Sequence, residues 1–233
     1  MAQDLGNADV LTLPLGASPR ELRTLLCLGA HCDDIEIGSG GTVLRLAERY
    51  PDLQVYWVVL SSSPVRAAEA RKSADRFLHR VRHKEIVIKD FRNSFFPFIG
   101  AQIKEFFEEL KSQVTPDLVL THTRGDLHQD HRLTCELTWN TFRNHLILEQ
   151  EIPKYDGDLG APNVFVPLEP AHCEAKVTNV LECFPSQGDH PWFTRETFMA
   201  LMRLRGVESN SPSGYAEAFY CRKAVLTFGR GAE

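Results

Sequence analysis

The chain has 233 residues, 43% hydrophobic and 24% charged, with a formal net charge of −5. At roughly 150 residues per domain, that length suits one large domain with at most a short extension, and the balance is that of a globular chain with a real core. The acidic balance leaves no basic surplus to neutralise phosphates, which excludes a nucleic-acid binder, and no apolar run approaches the roughly 20 residues of a membrane span.

The opening stretch, MAQDLGNADVLTLPLGASPRE, has no basic start followed by a long apolar segment, so no secretory signal is expected. Residues 1–22 are periodless, carry Pro14 and Pro19, and read as an arm lying on a single domain over 23–233. The six cysteines (Cys27, Cys32, Cys135, Cys173, Cys183, Cys221) are scattered with no CxxC pair. That is neither a disulfide framework nor a structural zinc site, and it fits a reduced, cytoplasmic chain.

From residue 24 strands and helices alternate. TLLCLGA (24–30) is a short apolar run that suits a buried strand. AHCDDIEIGSGG follows, with Gly38, Gly40 and Gly41 read as a strand-to-helix turn and a helix over GGTVLRLAERY (40–50). LQVYWVVLS (53–61) is a strand, VRAAEARKSADRFLHRV (65–81) an amphipathic helix, and KEIVIKDF (84–91) a third strand. GAQIKEFFEELKSQV (100–114) is a helix, PDLVLTH (116–122) a fourth strand, and HQDHRLTCELTWNTFRN (128–144) a helix. Beyond residue 145, HLILEQEI, NVFVPL and CRKAVLTF read as strands, and EAKVTNVLECF and RETFMALMRLRGV as helices. The alternation predicts an α/β fold: a Rossmann-like three-layer sandwich, its sheet mostly parallel with helices on both faces.

In an open parallel sheet, ligands bind beyond the carboxyl ends of the strands. His31, Asp33 and Asp34 follow the first strand, and His122, Asp126, His128, Asp130 and His131 gather at the end of the fourth. If those two strands are neighbours, the clusters share one crevice. A hydrolytic zinc site uses three protein ligands, often two histidines and a carboxylate, and keeps a position open for water. His128 and His131 are three apart, which puts both on one face of a helix, and His31 and Asp34 have the same spacing around a turn. Two histidines and an aspartate would hold the ion. One carboxylate would remain for proton transfer and one histidine for the charge that develops on attack. Asp126 or Asp130 can fix a histidine tautomer. Each motif alone has a plainer explanation: an isolated HxxH is common, and Asp-Asp after a strand can be a turn with a helix N-cap. GSGG fits the dinucleotide fingerprint poorly.

AHCDDIEIGSGG resembles the opening motif of the LmbE/PIG-L family of zinc-dependent N-deacetylases, usually AHPDD before a glycine-rich turn, and HQDH is similar to its second motif. VRAAEARKSADRFL, the stretch NVFVPLEPAHCEAKVTNVLECFPSQ and YAEAF extend the likeness over roughly residues 24–228. The resemblance implies removal of an acetyl group from an N-acetylglucosamine-type sugar, a small molecule or glycoconjugate. It implies His31, Asp34 and His131 as metal ligands for Zn2+ (Fe2+ being the other candidate), Asp33 as general base, and His128 as the group that steadies the oxyanion or protonates the amine. Cys32 stands where the family usually has proline. Arg66, Asp90 and Arg124 are candidate substrate contacts. The alternatives are a metal-dependent amidase for a non-sugar or thiol-conjugate amide, and a nucleotide-binding Rossmann-type enzyme. A homo-oligomer is compatible with the sequence.

Overall fold

A computed structural model describes residues 22–225. The expected arm therefore falls outside the described residues, apart from Leu22. In chain order the elements are β1 (Thr24–Gly29), α1 (Asp34–Arg49), β2 (Gln54–Val59), α2 (Pro64–Phe77), β3 (His83–Ile88), α3 (Gly100–Gln113) and β4 (Leu118–His122). Then come α4 (Gln129–Phe142), β5 (Leu146–Gln150), β6 (Val164–Pro167), α5 (Pro170–Cys183), α6 (Arg195–Glu208) and β7 (Ala216–Tyr220). The seven strands form one sheet in the order β3-β2-β1-β4-β5-β7-β6. The first five are parallel, and β7 runs antiparallel to both its neighbours. This is the mostly parallel, doubly covered sheet that the alternation predicts.

The apolar run of β1 serves both faces because successive side chains point opposite ways. Leu25 and Cys27 join the core under α1, α2, α5 and α6, with Trp57, Phe77, Val177 and Met202. Leu26 and Leu28 join the core under α3 and α4, with Val58, Phe107, Val119 and Phe142. Strands β1 and β4 are hydrogen-bonded neighbours, with Leu26 paired to Val119 and Cys27 to Leu120. Chain order reverses between them, so a crevice opens at their carboxyl ends.

Two expectations need correction. Gly38, Gly40 and Gly41 are not a turn before a helix; α1 begins at Asp34 and contains all three. Their role is close approach: a Cβ on Gly38 would stand 2.7 Å from the Gln150 side chain, and one on Gly41 2.5 Å from Leu168. The last strand is AEAFY, residues 216–220, rather than CRKAVLTF, of which residues 221–225 are not strand and the rest lie outside the described residues.

Candidate active site

The β1–α1 turn and the β4–α4 loop meet across the crevice. Asp33 is the N-cap of α1 by position, but its side chain caps nothing. Its Oδ1 instead lies 2.8 Å from Arg66 Nη2, on the first turn of α2. Asp34 turns the other way: its Oδ2 accepts the His31 backbone N–H (2.6 Å). The turn therefore sends two adjacent carboxylates to different partners, which a simple capping role would not require.

His31 Nδ1, His131 Nε2 and Asp34 Oδ2 converge. The nitrogens are 3.1 Å apart, and the carboxylate oxygen is 3.4 Å from His31 Nδ1 and 3.5 Å from His131 Nε2. Ligand atoms about 2.1 Å from a tetrahedral zinc ion stand about 3.4 Å from one another, so the triangle has the size such an ion needs. Behind each ring a carboxylate takes the other nitrogen. Asp126 Oδ2 meets His131 Nδ1 at 2.8 Å, and Asp130 Oδ2 meets His31 Nε2 at 3.3 Å. Each aspartate sits where a carboxylate orients an imidazole and keeps a proton on the ring nitrogen that faces it. Asp130 is itself held by the amides of Ser94 and Phe96, at 2.7 and 3.2 Å.

Two other triads lie within ligand reach, His31–His128–His131 and Asp34–His122–His131. His122 is a poor ligand because its Nε2 already accepts the Ala30 N–H (3.0 Å). The same nitrogen stands 3.1 Å from Asp34 Oδ2. His128 Nδ1 accepts the Asp130 N–H (3.2 Å), which leaves Nε2 as its donor. Its ring stands edge-on to His31, with centroids 4.9 Å apart.

The electrostatics also point to a cation. Asp33, Asp34, Asp126 and Asp130 are all buried, and the permanent cations touching them are Arg66 and Lys154. Asp34 and Asp130 pair with histidines rather than with a permanent cation. Burial works against a charge on His31, but Asp34 and Asp130 outweigh that and hold it up at about 10. Burial and the adjacent His122 push His131 down to about 3, so it presents a bare lone pair. Burial resists ionising Asp34, yet His131, His122 and His31 hold it well below the usual carboxylate range. Asp33 goes the other way: burial lifts it, with Arg66 opposing. Two neighbouring carboxylates with oppositely shifted affinities are suited to different tasks. Cys32, in place of the usual proline, is buried with its thiol pushed up to about 12 by that burial, and donates to the Ser61 carbonyl (3.4 Å). Its sulfur is turned toward Ser61 and belongs to none of the candidate ligand groups.

The structure thus brings together His31, Asp33, Asp34, His128, His131 and Arg66. Asp90 and Arg124 are exposed on the loops after β3 and β4, and the Arg124 amide donates to Glu149 Oε2 (3.0 Å). Two participants had no assigned role from sequence. His122 ends a buried strand, and a histidine closing an otherwise apolar run was its only signal. Lys154 reaches Asp126 from the β5–β6 connection, and nothing in its local sequence marks it. Glu217, in YAEAF, has a structural role: its carboxylate accepts the Gly41 and Thr42 amides (2.8 and 2.6 Å) and pairs with buried Lys176.

The sequence model of the PIG-L family, GlcNAc-PI de-N-acetylase, matches residues 26–142. The chain belongs to that family, whose members include deacetylases. Among curated proteins none matches the sequence. Similar solved structures include the conserved protein TT1542 from Thermus thermophilus, 20% identical, with a TM-score of 0.71 over 91% of this chain and 100% of that one. The N,N'-diacetylchitobiose deacetylase from Pyrococcus horikoshii is 18% identical, with a TM-score of 0.63 over 86% of this chain and 84% of its own. GalB, the 4-carboxy-2-hydroxymuconate hydratase of Pseudomonas putida, is 16% identical, with a TM-score of 0.71 over 90% of this chain and 100% of its own. At these identities the likeness is one of fold.

Proposed function

We propose that this chain, as one domain over residues 23–233, is a metal-dependent hydrolase that removes the acetyl group from an N-acetylglucosamine-type sugar or glycoconjugate. The observation that carries the proposal is the unliganded Asp33 carboxylate beside the His31–Asp34–His131 triangle. A pure metal-binding module has no use for a buried carboxylate at that position. His31, Asp34 and His131 would hold the ion, and a set of two histidines and a carboxylate suits Zn2+ or Fe2+. The ion supplies Lewis acidity, which polarises an amide carbonyl and acidifies water.

Asp33 takes the proton of the attacking water, with Arg66 holding its carboxylate in place. His128, whose Nδ1 accepts the Asp130 N–H and so leaves the ring proton on Nε2, donates to the oxygen that gains charge. The amide C–N bond then breaks, a proton passes from Asp33 or His128 to the departing nitrogen, and acetate and a free amine leave. Five of the six cysteines are buried and all are free, which supports a reducing, cytoplasmic setting.

Metal analysis comes first, then acetate release from a panel of N-acetylglucosaminides, with and without chelator. Chelator-sensitive acetate release bears the proposal out; a metal-loaded chain that releases none overturns it. Thiol-conjugate amides and an unsaturated dicarboxylate belong in the same panel, because the fold also serves a hydratase. Turnover of those alone would move the assignment.

A further inference from the structure

Behind His131 lies a second group of carboxylates. Oxygens of Asp126, Asp156 and Asp158 fall within 4.8 Å of one another, an all-oxygen set of the kind hard divalent cations favour. The Lys154 ammonium stands among them. It is 3.0 Å from Asp126 Oδ1, 2.5 Å from Asp158 Oδ2 and 3.7 Å from Asp156 Oδ2, and its side chain is only 10% exposed. Asp158 Oδ2 also accepts the Leu127 N–H (2.8 Å), which ties the β5–β6 connection to the loop that carries the site. Asp126 is shared between the two clusters. Its Oδ1 meets Lys154 and the His128 N–H (2.8 Å), and its Oδ2 meets His131 Nδ1.

We propose that Lys154 is a built-in cation: its ammonium fills the acidic pocket of Asp126, Asp156 and Asp158, so that no second divalent ion enters and Asp126 stays committed to orienting His131. Three carboxylates at this separation repel one another and draw in whatever positive charge is at hand. A tethered ammonium meets that need permanently. It cannot be exchanged, chelated or displaced by a metal that would pull Asp126 away from the imidazole. Lys154 touches none of the three candidate ligand atoms and is a positioning residue. The inference rests on the metal centre proposed above.

The test compares full-length wild type, Lys154→Ala and Lys154→Arg for bound Zn2+ by elemental analysis, and for Ca2+ uptake by calorimetry on the Zn2+-loaded chains. One equivalent of Zn2+ is expected in each. Lys154→Ala alone gains an equivalent of Ca2+, with a Kd of about 10⁻⁴–10⁻³ M. Lys154→Arg restores the wild-type stoichiometry, which a loss of mere side-chain packing would not explain. A Lys154→Ala chain with wild-type circular dichroism and no Ca2+ uptake at about 10 mM overturns the proposal. A chain that folds only with Ca2+ supports it. If Lys154→Ala folds in neither condition, Lys154→Gln, which drops the charge and keeps a hydrogen-bonding head, is held to the same two outcomes. A wild type that binds no Zn2+ sinks the metal centre, whereas Ca2+ uptake confined to the uncharged variants still supports the filled pocket.

Discussion

Asp33 and Asp34 are neighbours in sequence with different surroundings, and a matched pair of substitutions separates their roles. Asp34 Oδ2 lies 3.4 and 3.5 Å from the two imidazole nitrogens, so Asp34→Asn replaces an anionic ligand with a neutral one and should cost most of the bound metal. Asp33 Oδ1 meets Arg66 Nη2 at 2.8 Å and belongs to no ligand triad. Asn keeps its volume, but Arg66 Nη2 is buried against Asp33 and loses its anion, so the fold should lose about 1–3 kcal/mol. In the proposed mechanism the reaction loses its base. General-base catalysis contributes about 10²–10⁴ in rate, or about 3–5 kcal/mol of barrier. Asp33→Asn should therefore keep its metal and release acetate a hundred- to ten-thousandfold more slowly, with elemental analysis and turnover measured on one preparation. A variant within tenfold of wild-type kcat removes Asp33 from proton transfer. A variant that has lost its metal shows instead that Asp33 is a ligand.

Two further substitutions probe the support under the site. Glu36 is fully buried, and burial lifts it well above the carboxylate range, with the Ser73 hydroxyl offsetting only part of the rise. The folded chain therefore keeps a proton that the unfolded chain releases above about pH 4.3; the stability this confers is full below that value and falls as pH rises toward the folded pKa, at up to about 1.4 kcal/mol per pH unit. Glu36→Gln, neutral throughout, should match wild type near pH 4 in urea unfolding and exceed it increasingly toward pH 8; parallel curves would show that Glu36 is not held neutral. Glu217→Gln should cost about 3–5 kcal/mol, because it leaves the Lys176 ammonium buried without its anion. At this chain length that lowers Tm by at least about 6 °C, and a loss under about 1 kcal/mol would mean the pair contributes little to stability.

The β1–β4 adjacency that assembles the site was legible because apolar runs of strand length alternated with helical periodicity, and the parallel-sheet rule places ligands where such strands end. What resisted reading depended on contacts far apart in sequence. The glycines at 38 and 41 suit a turn as well as a helix. Only Gln150 and Leu168, more than a hundred residues away, settle that they permit close packing. Lys154 carries no local signal, since its meaning comes from Asp126 and Asp158. The AEAFY strand alternates only weakly. Its place is fixed by antiparallel pairing with β5 and β6, and by Glu217 reaching the amides of Gly41 and Thr42.

The HQDH spacing selects the residues but misassigns their geometry. A separation of three puts two side chains on one helical face only if both residues are helical. α4 begins at Gln129, and His128 is its N-cap, with extended φ and ψ of −72° and 122°. The cap bond, Asp130 N–H to His128 Nδ1, occupies one nitrogen of His128, while His131, inside the helix, has its Nδ1 bound to Asp126. One histidine is thereby left with a free N–H to donate and the other with a free lone pair. A helix boundary falling inside a four-residue motif is enough to give the two histidines different free nitrogens, which is what the proposed roles of donor and ligand require. Extending α4 by one residue would pull both rings onto one face and remove that difference.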